Sequence, residues 1–116
     1  MVNILLFTEL WTVAMTTAIP SPEILQDSAE RACRVLKVLS NRDRLMILCE
    51  LAQGERRVGE LEARLGIGQP TLSQQLTVLR AEALVDTRRE GRHIHYRLIS
   101  PQVGALITVL HDQFCT

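Results

Sequence analysis

The sequence between residues 58 and 80 constrains the fold most, because two short helical patterns flank a glycine-containing turn. In the first pattern apolar residues recur three and four positions apart, at Val58, Leu61 and Leu65. Gly66 and Gly68 then interrupt the chain, and Pro70 fits the first turn of a second helix, where its missing N–H costs nothing. The apolar stripe of the second helix consists of Leu72, Leu76 and Leu79. Two short helices joined by a tight glycine turn predict a helix-turn-helix.

The remaining surface of the second helix is polar and uncharged, formed by Thr71, Ser73, Gln74, Gln75 and Thr77. Hydroxyl and amide groups of this kind form hydrogen bonds with base edges in the major groove of DNA. The alternative is an ordinary helical hairpin with a polar outer face, because short patterns like this one also occur by chance. We favour DNA binding.

After Ala83 the apolar period changes from 3.6 to 2, which predicts two strands over residues 85–98 with a turn at Glu90-Gly91-Arg92. A helix-turn-helix followed by a β-hairpin is a winged helix. The ten residues 88–97 of this hairpin contain four arginines and only one acidic residue, Glu90. The arginines are Arg88, Arg89, Arg92 and Arg97. Arginines on a projecting hairpin suit phosphate or minor-groove contact. A merely solvated hairpin would be expected to mix both signs of charge.

Two further helices are predicted to flank this module, each opened by a serine followed by proline, at Ser21-Pro22 and Ser100-Pro101. The first has an apolar seam at Leu25, Ala29, Ala32, Leu36 and Leu39. The last has one at Val103, Leu106, Ile107, Leu110 and Phe114. These seams predict a homodimer formed through the first and last helices, which would present its two recognition helices to successive major grooves.

A capping box at Ser40-Asn41-Arg42-Asp43 is predicted to open the remaining helix, with Ser40 as its first capping residue. We expect this helix to end at Gly54 and to bury Leu45, Leu48, Cys49 and Ala52. The predicted fold is therefore mainly α with a small β-hairpin (α+β), a winged helix-turn-helix in the order ααααββα.

The first 15 residues are apolar but do not match a signal peptide, because no basic residue precedes them and Glu9 interrupts them. They are either an ordered segment covering an apolar surface or lie before a translation start at Met15, which we prefer. Nothing else resembles a membrane span, and three cysteines without an export signal indicate a reducing compartment. We expect a cytoplasmic protein that does not associate with membranes. An N-terminal extension over residues 1–20 would precede one domain over residues 21–116.

The 13 basic and 13 acidic residues balance, so nucleic-acid binding cannot be inferred from the overall charge. Two motifs are more specific: LSNRDRL at residues 39–45 and GQPTLSQQL at residues 68–76. Together with the order of helices and wing, they make residues 25–115 resemble the ArsR family of bacterial winged-helix repressors. The resemblance implies a homodimer that represses an operon by binding inverted-repeat operator DNA and leaves it when an inducer acts. The DNA-binding residues that it implies are Gln69, Thr71, Ser73, Gln74 and Gln75 in the motif and Arg88, Arg89 and Arg92 in the wing.

The resemblance also bears on the inducer. Metal and arsenite sensors of this family often have cysteines in the helix before the turn, here residues 57–65, where this chain has none. Zinc sensors use helix-spaced Asp and His in the last helix, whereas His111 and Asp112 are adjacent. We therefore expect neither a metal site nor a cofactor. The positions of Cys49 and Cys115 are similar to those of the BigR/SqrR/YgaV branch, whose dithiol switches respond to persulfides and related oxidants. This implies a disulfide or polysulfide bridge as the switch, and sulfide detoxification genes as the targets.

Other interpretations of the cysteines remain open. Cys33 is expected to be a small core residue beside the first-helix seam, because free cysteines are often fully buried. If Cys33 instead converged with Cys49 and Cys115, the three thiolates would suit an arsenite or soft-metal responsive repressor. The absence of a C-x-x-C motif and of a βαβ pattern argues against a thiol oxidoreductase, and we expect no enzymatic activity. A winged-helix module that does not bind DNA is a further alternative.

Overall fold

The computed structural model describes residues 19–115. In this part of the chain the helices are α1 (Pro22–Leu39), α2 (Arg42–Gln53), α3 (Val58–Leu65), α4 (Thr71–Ala81) and α5 (Pro101–Phe114). The strands are β1 (Arg56–Arg57), β2 (Val85–Glu90) and β3 (His93–Leu98). The predicted mainly helical winged fold and its order are confirmed, and the short strand β1 is an addition that the sequence did not suggest.

The predictions for the leading segment concern residues outside the described ones. One is the translation start at Met15. The other is the extension over residues 1–20, of which only residues 19 and 20 are described. Among the described residues, none of the helices has the length and apolar character needed to cross a membrane.

The predicted starts of the flanking helices are confirmed. Ser21 Oγ accepts a hydrogen bond from the Ile24 N–H at 3.4 Å, and Ser100 Oγ accepts one from the Val103 N–H at 3.2 Å. In both helices the proline occupies the first turn, where no intrahelical N–H donor is needed.

The predicted start of α2 was wrong by one residue. Asn41, not Ser40, is the capping residue, and its Oδ1 accepts a hydrogen bond from the Arg44 N–H at 3.0 Å. Ser40 is instead the C-cap residue that follows α1, and its N–H donates a hydrogen bond to the Leu36 carbonyl at 2.9 Å. The backbone therefore becomes extended only at Asn41, whose φ is −145°.

This assignment predicts different effects for two adjacent alanine substitutions. Asn41→Ala is expected to lower the free energy of unfolding by about 1 kcal/mol, because the Arg44 N–H loses its acceptor. Ser40→Ala is expected to change it by less than about 0.5 kcal/mol, since the Ser40 side chain is exposed. Urea unfolding followed by circular dichroism measures both. A larger loss for Ser40→Ala would contradict the assignment.

The hydrophobic core is built around α2, which packs against α1, α3, α4, α5 and β3. Leu48 is buried as predicted, but Ala52 is exposed and Leu45 and Cys49 are only half-buried. The other buried apolar residues of α2 are Ile47 and Leu51, which lie one turn apart. The face of α2 that contacts the hydrophobic core therefore contains Ile47, Leu48 and Leu51. The predicted stripe of α4 is confirmed, with relative exposures of 0% for Leu72, 2% for Leu76 and 0% for Leu79.

The three strands form an antiparallel sheet in the order β1-β3-β2. The hairpin pairs Val85 with Leu98 at its base and Glu90 with His93 at its tip. Gly91 in the turn has a φ of +61°, a left-handed conformation that glycine adopts without strain. At the other edge of β3, Arg56 pairs with Tyr96. The wing is therefore joined directly to the segment that enters α3.

Candidate DNA interface and cysteine pair

Helix α4 is held against the core by its buried leucines, so that its opposite face is open to solvent. The predicted contact residues Gln69, Thr71, Ser73 and Gln74 are exposed, and Gln75 is half-buried. The turn before the helix is fixed by Ile67, which is buried, and by Gly66, whose φ is +68°. The structure thus brings the five predicted residues of the motif together on and beside the first turns of one helix.

Two glutamines of this face are fixed by hydrogen bonds within the protein. Gln69 Oε1 accepts from the Ser73 hydroxyl at 2.6 Å and from the Ser73 N–H at 3.2 Å. Gln75 Oε1 accepts from Arg44 Nη1 at 3.0 Å. This role of Arg44 was not predictable from the sequence, because no pattern connects a side chain in the first turn of α2 with a residue 31 positions later.

The predicted arginines of the wing differ in how their charge is engaged. Arg89 and Arg92 are exposed, and neither forms an ion pair with another of residues 19–115. Arg88 is bound by two carboxylates, with its Nε 2.8 Å from Glu55 Oε1 and its Nη1 2.7 Å from Glu90 Oε2. Hydrogen bonds to these two carboxylates raise the pKa of Arg88, and the bond from Arg88 lowers the pKa of Glu90. Arg89 and Arg92 are therefore the better candidates for phosphate contact.

A buried carboxylate connects α2 to the helix-turn-helix and to the wing. Glu50 is only 7% exposed, and its Oε1 accepts a hydrogen bond from Arg56 Nε at 3.0 Å and contacts Arg64 Nε. Arg56 lies in β1 and Arg64 in α3. One carboxylate on α2 thus connects the first helix of the helix-turn-helix with the strand that pairs with the wing. The sequence does not indicate this role of Glu50, because a glutamate in a helix is usually a surface residue.

Two of the three cysteines lie on helices that pack against each other, Cys49 in α2 and Cys115 at the end of α5. Cys49 is half-buried in α2, Cys115 is exposed at the end of α5, and both are free thiols. Burial raises the pKa of Cys49, and negative charge on Cys115 raises it further.

The expectation that Cys33 is a core residue was wrong, because its side chain is exposed. Helix α1 contacts the core only near its end, through Val35, Val38 and Leu39, and Cys33 lies outside this contact. Over residues 19–115, no group of three Cys, His, Asp or Glu side chains is placed to hold a metal ion. A single subunit therefore does not bring Cys33 together with Cys49 and Cys115 as an arsenite site requires.

Comparison with known proteins gives the same fold and organisation. The sequence profile "Bacterial regulatory protein, arsR family" matches residues 41–87, which run from the start of α2 into β2. A biofilm growth-associated repressor from Agrobacterium fabrum is 53% identical over 97 residues, which cover 84% of this chain and 82% of that protein.

Solved structures extend the likeness over nearly the whole described chain. The crystal structure of the transcriptional repressor BigR from Xylella fastidiosa matches with a TM-score of 0.77 and 45% identity, covering 84% of this chain and 99% of that one. A homodimeric winged helix-turn-helix DNA-binding domain from Mycobacterium bovis, solved by NMR, matches with a TM-score of 0.65 and 32% identity, covering 84% and 89%. The chain therefore belongs to the arsR family of bacterial regulatory proteins, which are winged-helix, DNA-binding transcriptional regulators.

Proposed function

We propose that the protein is a homodimeric repressor that binds inverted-repeat operator DNA and is released when Cys49 and Cys115 are oxidised. The observation that carries the proposal is the packing of α5, which ends at Cys115, against α2, which carries Cys49. Helix α2 packs against α4, which presents the polar motif, and also against α5, whose end carries Cys115. A covalent bond between the cysteines would therefore connect the proposed sensor directly to the proposed DNA interface.

The DNA-binding part of the proposal is supported by the arrangement of α4 and the wing. Helix α4 presents uncharged hydrogen-bonding groups, which suit base edges, and the exposed Arg89 and Arg92 suit the backbone phosphates on either side. The repressors from Agrobacterium fabrum and Xylella fastidiosa match these regions of the chain. Repression follows if the bound operator overlaps a promoter.

The dimer is supported by apolar surface that a single subunit leaves uncovered. On α1, Leu25 is 51% and Leu36 52% exposed, and on α5 Val109 is 55% and Phe114 79% exposed. An apolar groove of about 760 Å³ runs between these two helices. Apolar surface left exposed in this way indicates a protein interface, and an isologous pairing would cover it in both subunits at once.

The chemistry of the switch follows from the different exposure of the two sulfurs. Cys115 is exposed, so its sulfur is the one that an incoming hydropersulfide reaches; it takes the outer sulfur to form a Cys115 persulfide, and the thiol leaves. Cys49, which burial keeps mainly protonated at neutral pH, then loses its proton and attacks the Cys115 sulfur of the new persulfide. A Cys49–Cys115 disulfide forms and hydrogen sulfide leaves. The hydropersulfide is thereby reduced to a thiol and hydrogen sulfide while two cysteine thiols are oxidised.

The proposal predicts that persulfide weakens DNA binding only when both cysteines are present. A duplex selected from a randomised pool serves as the probe, and fluorescence anisotropy measures its Kd before and after treatment with glutathione persulfide. We expect a loss of about tenfold for the parent protein, which corresponds to about 1.4 kcal/mol of coupling. Cys49→Ser and Cys115→Ser are expected to bind the duplex as the parent does and to remain bound after treatment.

Cys33→Ser is the matched control, since Cys33 lies on α1 and takes no part in the proposed bridge, and it should respond as the parent does. Release by persulfide in Cys49→Ser would contradict the two-thiol switch. Arsenite and zinc are tested in parallel. Release by arsenite that requires all three cysteines would favour the soft-metal alternative, with ligands combined across two subunits.

A further inference from the structure

We propose that Arg44 is a positioning residue that turns the Gln75 amide so that it meets DNA as a hydrogen-bond donor. This inference rests on the DNA-binding function proposed above. It assigns a role to a residue outside both the polar motif and the wing, and it specifies the chemistry of the base edge that Gln75 contacts.

The orientation of the Gln75 amide is fixed by the chemical nature of its partner. A guanidinium group carries only donors, so the amide atom that faces Arg44 Nη1 at 3.0 Å must be the carbonyl oxygen. The amide nitrogen then points away from Arg44. Within residues 19–115 no hydrogen bond joins this nitrogen to another group, which leaves both of its N–H groups free for an outside acceptor.

Arg44 is itself held at its other side, which makes it a firm support. Its Nε donates to the Val38 carbonyl at 2.7 Å, and Nη2 lies 3.5 Å from the Lys37 carbonyl. Both carbonyls belong to the last turn of α1, where backbone acceptors lack intrahelical donors. One planar group thus connects the end of α1 to the recognition helix, and Gln75 cannot turn its amide over without leaving a guanidinium N–H unpaired.

The fixed orientation restricts the bases that Gln75 can select. A glutamine recognises adenine by using its oxygen and nitrogen together, accepting from N6 and donating to N7. With the oxygen directed toward Arg44, only the donors face the groove. They suit guanine, which offers N7 and O6 as adjacent acceptors, or the O4 of thymine.

Gln69 shows the same arrangement at the start of α4. Its carbonyl oxygen accepts from the Ser73 N–H, a group that can only donate, and this fixes which amide atom faces the helix. The hydroxyl of Ser73 donates to the same oxygen at 2.6 Å. Two glutamines on this surface therefore have their oxygens turned toward the protein, and the interface is biased toward acceptor-rich base edges.

Base preference tests the role of Arg44 separately from any effect on stability. Duplexes are selected from a randomised pool with the parent protein, with Gln75→Ala and with Arg44→Met, and the Kd values are then measured on single-base variants. The base pair whose selection is lost in Gln75→Ala identifies the Gln75 contact. There the parent is expected to prefer guanine or thymine over adenine by about tenfold. Replacing a preferred guanine by 7-deazaguanine should remove most of that preference.

In Arg44→Met the amide is free to turn, so the preference over adenine at this base pair should fall below about threefold, while preferences elsewhere in the site persist. The double variant Arg44→Met/Gln75→Ala should match Gln75→Ala in its base preferences. A purely structural role for Arg44 would instead lower affinity equally for all sequences and lower the thermal midpoint.

The inference is overturned if the parent selects adenine at the Gln75 contact, or if Arg44→Met keeps the parent preference there. It is also overturned if Arg44→Met changes base preference equally in the Gln75→Ala background. If the parent binds no duplex in a salt-dependent manner, the proposed DNA-binding function fails as well. Binding with unchanged base preference in Arg44→Met refutes only the role of Arg44.

Discussion

Replacing Arg56 and Arg64 together by alanine is expected to lower the free energy of unfolding by about 3 to 5 kcal/mol. Both guanidinium groups contact Glu50, whose side chain is only 8% exposed. Without them the carboxylate stays in a poorly solvated position with no opposite charge beside it. The cost of removing the partners of a buried ion is larger than the stabilisation that the intact pair supplies, because the remaining ion has already lost its water.

Urea unfolding followed by circular dichroism measures this loss, and two further variants separate its cause. Adding Glu50→Gln to the double variant is expected to restore at least half of the lost stability, since a neutral amide costs less to bury than a carboxylate. Arg31→Ala is the matched control, because its pair with Asp27 is exposed on both sides, and it should cost less than about 0.5 kcal/mol. A double variant no less stable than Arg31→Ala would show that Glu50 does not depend on its partners.

The second large effect is expected in DNA binding. Arg89→Ala/Arg92→Ala should raise the Kd for the selected duplex about 100-fold at low salt, because both guanidinium groups are exposed and available to phosphates. The slope of log K against log salt concentration should become shallower by about 3 to 4. Each phosphate contact contributes about 0.9, and the variant removes two contacts from each subunit.

Arg88→Ala is the control, because Arg88 lies next to Arg89 in the strand β2. Its guanidinium already binds Glu55 and Glu90, so its loss should raise the Kd by less than about fivefold and leave the salt slope nearly unchanged. Equal effects for Arg88→Ala and Arg92→Ala would mean that the two carboxylates release Arg88 when DNA binds. An unchanged salt slope in Arg89→Ala/Arg92→Ala would contradict a role for the wing in phosphate contact.

The sequence predicted those parts of the fold that depend on local periodicity. Leu72, Leu76 and Leu79 are buried as their spacing indicates, and the change of period after Ala83 correctly marked the wing. Both rest on short-range patterns, since a helix or strand repeats its buried face every few residues. The turn at Gly91 was predicted for the same reason.

Contacts between distant side chains were not predictable in this way. Arg44 with Gln75 and Glu50 with Arg64 join residues on different helices, and no repeating pattern within either helix indicates its partner. The prediction of the capping residue of α2 was wrong for another reason, because Ser40 and Asn41 are adjacent and both are good capping residues. Cys33 was misplaced because apolar spacing does not distinguish a face turned to the core from one left for another subunit.

The strand β1 has a consequence for how the two halves of an operator are recognised. Its two residues pair with β3 and lead without a linker into α3, so the hairpin cannot swing independently of the helices beside it. In the proposed complex with DNA, each subunit would therefore present α4 and the wing to the duplex in a fixed arrangement. In such a complex, tolerance for a different number of base pairs between the two half-operators would come from the junction of the two subunits.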